Sequence, residues 1–247
     1  MPKIDQAVLL AAGRGTRMRD LTNDLPKPMI EVRGKPVLQH IVEGLRDAGV
    51  RRFLIIVGYR ADAVRNFFGD GSRYQIDIQY EMQIVQDGTG RVVELARNFS
   101  HGRAFVLSYG DILVDQANYK RVADLAEDIE AILTVRRGED VTKGGAVFLN
   151  QKMEVVDLCE KPSEGEPASP WYNAGLYVFR PSIFEFTAKL KPSVRGEYEL
   201  TDAIRDLAQL GRIVKAIELI GEWADVRDPE ILAQLNQQNV TRLVYET

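Results

Sequence analysis

Cysteine is nearly missing from this chain. Among 247 residues only Cys159 carries a thiol, which excludes an internal disulfide and fits a reducing compartment. Histidine is almost as scarce, at two, and neither His40 nor His101 is assigned any chemistry; His40 falls inside an amphipathic helical pattern and reads as structural. No apolar run approaches the roughly 18 residues of a membrane span, and Met1-Pro2-Lys3-Ile4-Asp5 lacks the shape of a signal peptide. An excess of positive charge is missing too: the formal net charge is −4, which argues against a nucleic-acid-binding surface. Internal repeats and low-complexity tracts are also lacking. These absences predict a soluble, cytoplasmic protein with no nucleic-acid and no membrane partner. With 45% hydrophobic residues, the length suits one large α/β unit or one carrying an inserted lobe.

What the chain does have is concentrated first in Val8 to Met29, VLLAAGRGTRMRDLTNDLPKPM. The apolar run Val8–Ala12 reads as a buried parallel strand that passes straight into Gly13-Arg14-Gly15-Thr16-Arg17. Glycines directly after a strand let backbone N–H groups approach a ligand, and phosphate is the usual guest. Arg17 and Lys27 add side-chain donors, and Pro26 and Pro28 restrict the backbone on both sides of Lys27. A polyanion is therefore expected here. A dinucleotide fingerprint fails, because the third glycine position is Met18 and no acidic residue closes a second strand about 20 positions on. A Walker loop fails for want of Gly-Lys-Ser/Thr. On the glycines alone, a plain strand-to-helix turn stays open.

Further along, Val37, Leu38, Ile41, Val42, Leu45 and Ala48 follow helical spacing after Pro36, with Gly49 as C-terminal cap. Strand 52–58, a short helix 61–68, a strand 76–80, a helical stretch 91–98 and a strand 104–108 come next. This alternation implies βαβ units and a mostly parallel sheet, with ligands outside the carboxyl ends of the strands. The strand at 104–108 delivers Tyr109-Gly110-Asp111 to that same edge. A polar helix 118–128, a strand 131–136, antiparallel strands and loops over 141–179, a helix to about 210 and a last amphipathic helix after Pro229 complete the expected order. Asp115 reads as a capping or solvated residue.

Gly13-x-Gly15-Thr16-Arg17-Met18, Leu21-Thr22, Pro26-Lys27-Pro28-Met29 and Gly34-Lys35-Pro36 together resemble the signature of the sugar-1-phosphate nucleotidyltransferases. The resemblance continues in Glu160-Lys161-Pro162, Asn173-Ala174-Gly175-x-Tyr177-x-Phe179, Gly196-Glu197-Tyr198-Glu199-Leu200-Thr201-Asp202 and Trp223-Ala224-Asp225, and so covers nearly the whole chain. It implies a Rossmann-like three-layer α/β/α fold with a mixed, mainly parallel sheet and a sugar-binding lobe. The expected organisation is a single unit over 1–247: a nucleotide part at about 1–115, a sugar lobe at about 140–225 and a C-terminal helix at about 228–245.

By the same resemblance, Leu10, Ala11, Ala12, Gly13, Gly15, Thr16, Gln83, Gly88 and Thr89 would bind the nucleotide, and Gly145, Glu160, Asn173 and Glu197 the sugar. Asp111 and Asp225 would hold Mg²⁺, a cation that takes few protein oxygens when phosphates and water supply the rest. Arg17 would grip the leaving triphosphate end, Lys27 the attacked phosphorus and Lys161 the incoming phosphate. The partners would be a nucleoside triphosphate and a sugar 1-phosphate, with a homo-oligomer left open. UTP or dTTP with a glucose-1-phosphate-like sugar is favoured, and Ala11-Ala12-Gly13 leans towards UTP or GTP. Alternatives are a mannose-1-phosphate guanylyltransferase, an N-acetylated-sugar uridylyltransferase, a phosphocholine-type cytidylyltransferase and a non-catalytic sugar-nucleotide-binding subunit. No second activity is expected, because the long carboxy-terminal extension of some relatives is not seen. Two departures stand out: Arg227-Asp228 replaces the usual Gly-Thr, and no aromatic precedes Gly145.

Overall fold

The computed structural model describes residues 4–123, 126–163 and 169–245, with side chains left out at 19–20 and beyond 237. The middle of the helix expected over 118–128 and most of the Pro/Ser/Glu-rich loop after Pro162 lie outside the described residues. In chain order the strands are β1 (Gln6–Ala11), a small hairpin β2 (Glu31–Val32) and β3 (Lys35–Pro36), β4 (Arg52–Val57), β5 (Asp77–Met82), β6 (Phe105–Tyr109), β7 (Ile112–Val114), β8 (Ala131–Arg137), β9 (Gly145–Leu149), β10 (Val155–Glu160), β11 (Trp171–Phe179), β12 (Val214–Glu218) and β13 (Trp223–Asp225). The helices are α1 (Val37–Ala48), α2 (Ala61–Phe68), α3 (Thr89–Glu94), α4 (Arg97–Ser100), α5 (Ala117–Val122), α6 (Ile183–Thr187), α7 (Leu200–Gln209) and α8 (Pro229–Tyr245).

Among the described residues nine strands form one mixed sheet in which β10-β9-β11-β6-β1-β4-β5 are neighbours and β8 joins β11 to β12. Only β10 and β11 run against the other seven, so the sheet is mainly parallel. Period-2 alternation explains how it is buried on both faces. Ala7, Leu9 and Ala11 of β1, with Phe53, Ile55 and Val57 of β4, join a core beneath α1, α2, α5 and α8. Val8, Leu54 and Ile56 point the other way, into a core beneath α3, α6 and α7. The layers are therefore α/β/α. Among the described residues no helix is long and apolar enough to cross a membrane.

β1 starts two residues earlier than the apolar run alone suggested. Gln6 is fully buried, but its amide is satisfied: Nε2 donates to Ser100 O at 2.9 Å, and Oε1 accepts from Arg52 Nη1 at 3.0 Å. α1 buries the six apolar positions expected of it and ends at Gly49, whose φ of 110° is the left-handed conformation of a C-terminal cap. The single helix expected over 91–98 is instead two, α3 and α4. At the break Leu95 N and Ala96 N bond back only three residues, to Val92 O and Val93 O, and this tightening turns the chain. His40 Nε2 lies 2.8 Å from Val32 O, in keeping with a structural role. Asp115 Oδ1 accepts from Ala117 N at 2.9 Å and caps the start of α5.

Candidate active site

The carboxyl end of β1 opens into a cavity of about 520 Å³. Gly13 to Arg17 form its near wall. The Ala12 carbonyl, at the strand's last turn, accepts from Gln86 Nε2 at 2.9 Å and so ties the polar loop 83–88 to this edge. Gly15 has φ +71°, and a Cβ there would lie 2.7 Å from Lys27 Cβ. The residue must be glycine both for its backbone and because the Lys27 stem passes against it. Lys27 itself opens a short 3₁₀ turn, Lys27–Met29, in which Met29 N bonds Pro26 O.

Lys27 reaches two acids at once. Its Nζ lies 2.5 Å from Asp111 Oδ2 and 3.4 Å from Asp225 Oδ1. Asp111 arrives on the end of β6, where Gly110 N bonds Leu10 O at 3.0 Å. Asp225 arrives through a two-stranded ribbon that the sequence pattern did not reveal: β13 pairs with β7, setting Asp225 opposite Ile112, and Val226 N bonds Asp111 O at 2.9 Å. Trp223 anchors the ribbon by donating Nε1 to Ala174 O at 2.9 Å and packing edge-on to Tyr172. Burial pushes the Asp225 carboxyl above its ordinary range, and the like charge of Asp111 adds to this. Burial works against the Lys27 charge, but the two carboxylates outweigh it and hold its pKa above the ordinary lysine value.

The far wall comes from β9, β10 and β11. Glu160 ends β10 and Lys161 follows with φ +44°, a left-handed backbone unusual for a side-chain-bearing residue, its N–H bonded to Gly144 O at 2.6 Å. A Cβ on Gly145 would sit 3.0 Å from Asn173 Cβ and 3.5 Å from Glu160 Oε2, so its absence keeps the space between those side chains open. Glu160 Oε2 accepts from Thr201 Oγ1 at 3.4 Å, and Arg195 stands 3.8 Å from Oε1. Burial first, and the neighbouring Glu199 second, raise the Glu160 carboxyl above its usual range. Glu197 is paired with Arg195 at 2.8 Å.

Among the residues singled out from the sequence, Leu10, Ala12, Gly13, Gly15, Thr16, Arg17, Gln83, Gly88 and Thr89 line the cavity on the loop side. Lys27, Asp111 and Asp225 line its floor, and Gly145, Glu160, Lys161, Asn173 and Glu197 its far wall. Ala11 is the exception: it is fully buried and its methyl packs into the core, because alternation along β1 turns it away from the edge. The Gln83 amide donates to Val85 O at 3.0 Å, closing its own loop. Gln86, Tyr109, Lys143 and Tyr172, given no binding role from the sequence, also line the cavity, as does Arg227, noted there only as a departure from Gly-Thr. Tyr109 directly precedes Gly110-Asp111 and was within reach of the same logic; Lys143 and Tyr172 gave no signal.

The chain belongs to the nucleotidyl transferase family, whose pattern matches residues 6–241. It is 34% identical over 229 residues to the UTP–glucose-1-phosphate uridylyltransferase AglF of Haloferax volcanii, covering 91% of this chain and 92% of that protein. It is 32% identical over 238 residues to the bifunctional protein GlmU of Methanococcus maripaludis (strain C5), covering 96% of this chain. The chain spans only 55% of that relative's length. A crystal structure of UDP-glucose pyrophosphorylase complexed with UDP-glucose superposes with a TM-score of 0.88 at 22% identity, over 97% of this chain and 99% of that one, and so shares the fold.

Proposed function

We propose that this chain transfers a nucleoside monophosphate from a nucleoside triphosphate to a sugar 1-phosphate, releasing pyrophosphate. One observation carries the proposal: Lys27 bridges Asp111 and Asp225 on the floor of a cavity walled by an amide-rich glycine loop on one side and by Glu160, Lys161 and Asn173 on the other. An oxygen of the sugar phosphate attacks the α-phosphorus, the bond to the bridging oxygen of the β-phosphate breaks, and the electron pair leaves with pyrophosphate. The attacking phosphate is already ionised at neutral pH, so no side chain need take a proton. The work of the protein is positioning and charge neutralisation. Backbone N–H groups of Gly13 to Arg17 and the Arg17 guanidinium hold the leaving end, Lys27 faces the attacked phosphorus, and Lys161 faces the acceptor phosphate. Glu160 and Asn173 offer the paired acceptor and donor that sugar hydroxyls need.

The donor set suits Mg²⁺. Among the described residues no cage of three or more acids, histidines or cysteines exists, but two carboxylates completed by phosphate and water oxygens are what this cation commonly takes. The Lys27 ammonium between the two acids already stands in for a positive charge at that point. When bound by Asp111 and Asp225, Mg²⁺ would supply charge neutralisation at the α-phosphate. The activity named for AglF makes UTP with glucose 1-phosphate the first pair to try. A panel of UTP, dTTP, GTP and CTP against glucose, mannose and N-acetylglucosamine 1-phosphates and phosphocholine, read by pyrophosphate release, tests the proposal. Release with a sugar phosphate is expected, and silence across the panel would leave only a sugar-nucleotide binder.

Glu160 carries a separate expectation. Because its pKa is raised by folding, the folded chain holds this proton to higher pH than the unfolded chain, and stability is lost as pH rises through the raised value. Glu160→Gln should therefore raise the Tm at neutral pH, with the gain shrinking towards the ordinary carboxylate range. The same change should raise the acceptor KM about 10-fold or more, the scale of a lost charge-assisted hydrogen bond. An unchanged acceptor KM together with a pH-independent Tm difference would remove Glu160 from the acceptor site.

A further inference from the structure

Arg227 follows the second acid by two residues and lines the cavity. Its side chain is 14% exposed, and Nη1 is buried with no hydrogen-bond partner among the described residues. The surrounding acids fall short of hydrogen-bonding distance: Nη1 lies 3.7 Å from Asp225 Oδ2, and Nε 4.0 Å from Asp228 Oδ2. A guanidinium presents five N–H donors in a rigid plane shaped for two oxygens of one anion, and burying such a donor unpaired is rare. The backbone holds the group where it is. Arg227 N bonds Asp225 O at 2.8 Å, and Asp228 Oδ1 accepts from Ile231 N at 3.0 Å at the start of α8.

Asp225 turns Oδ1 to Lys27 and Oδ2 to Arg227, so the two cations flank one carboxylate. Tyr172 also lines the cavity and packs its ring edge-on against Trp223, on the short strand that leads into Asp225 and Arg227. Its hydroxyl abuts Gly144, whose carbonyl accepts the Lys161 N–H. Arg227 thus lines the same cavity as Tyr172, Gly144 and Lys161, beside the second acid.

We propose that Arg227 binds the acceptor's phosphate, its guanidinium gripping the non-attacking oxygens of the sugar 1-phosphate alongside Lys161. The inference rests on the nucleotidyl-transfer reading. Titration of glucose 1-phosphate into wild-type chain, Arg227→Met and Arg227→Lys tests it by calorimetry, independently of turnover. The methionine variant should bind about 10-fold more weakly or worse, the lysine variant should recover part of the loss, and UTP affinity should stay within about twofold. In pyrophosphate-release kinetics the acceptor KM should rise while kcat at saturating acceptor changes little, a split that a merely structural role would not produce. If Arg227→Met does not fold, Arg227→Gln gives the same readouts. Wild-type affinity in the methionine variant, a loss confined to UTP, or no binding of glucose 1-phosphate to the wild type would overturn the assignment. Arg227-dependent binding without pyrophosphate release would instead defeat the transfer reading and leave the phosphate site standing.

Discussion

Replacing Lys27 by methionine should lower kcat/KM for pyrophosphate release by about 100- to 1,000-fold, the scale on which removing one preorganised charge stabiliser is felt. Methionine keeps the stem packed against Gly15 but removes the ammonium that neutralises Asp111 and Asp225. The two like charges then face each other, and Asp225 moves further above its ordinary range. Removing one partner of a fully buried ion pair costs about 3–5 kcal/mol. The cost here is smaller, because Asp111 and Asp225 retain 29% and 22% side-chain exposure. A Tm drop of roughly 3–8 °C is expected at 2–4 °C per kcal/mol. The penalty should shrink on acidification, since a carboxyl with a raised folded-state pKa gains stability as pH falls through that value. Turnover within about threefold of wild type would take Lys27 out of the chemistry.

Asp111→Asn should leave a folded protein whose turnover falls about 100-fold or more. The amide fills the same space but surrenders the charge, and the loss works in two directions. Asp225 is relieved of its nearest like charge, so its carboxyl moves back towards the ordinary range. A divalent cation meanwhile loses one of two anionic ligands, so the Mg²⁺ concentration needed for half-maximal activity should rise, and chelation with EDTA should abolish release in the wild type. Near-normal rates in saturating Mg²⁺ would strip Asp111 of its role as a ligand.

Much of the sheet was legible because its signals are local. The run before Gly13, the six-position stripe of α1 and the Phe53–Val57 strand each carry a period that a short window exposes. The glycine loop and Lys27 were legible for the same reason: spacing and proline restriction act within one stretch of chain. Asp225 could be linked to Asp111 only through family resemblance, because the ribbon that joins them is three residues on each side, too short for any periodicity to show. The break between α3 and α4 was hidden as well, since Leu95 and Ala96 are good helix formers and tertiary packing overrides them. The Ala11 side chain lies away from the cavity for the simplest reason: a motif names neighbours in sequence, whereas a pleated strand sends alternate side chains to opposite faces.

Lys27 meets its two acids across separations of 84 and 198 positions. Contacts of such span carry a large loop-closure entropy that only the completed fold repays. The β7–β13 ribbon is the clasp that carries Asp225 to Asp111 and Lys27, and a frayed clasp would silence the chemistry while leaving both layers of helices seated on their sheet.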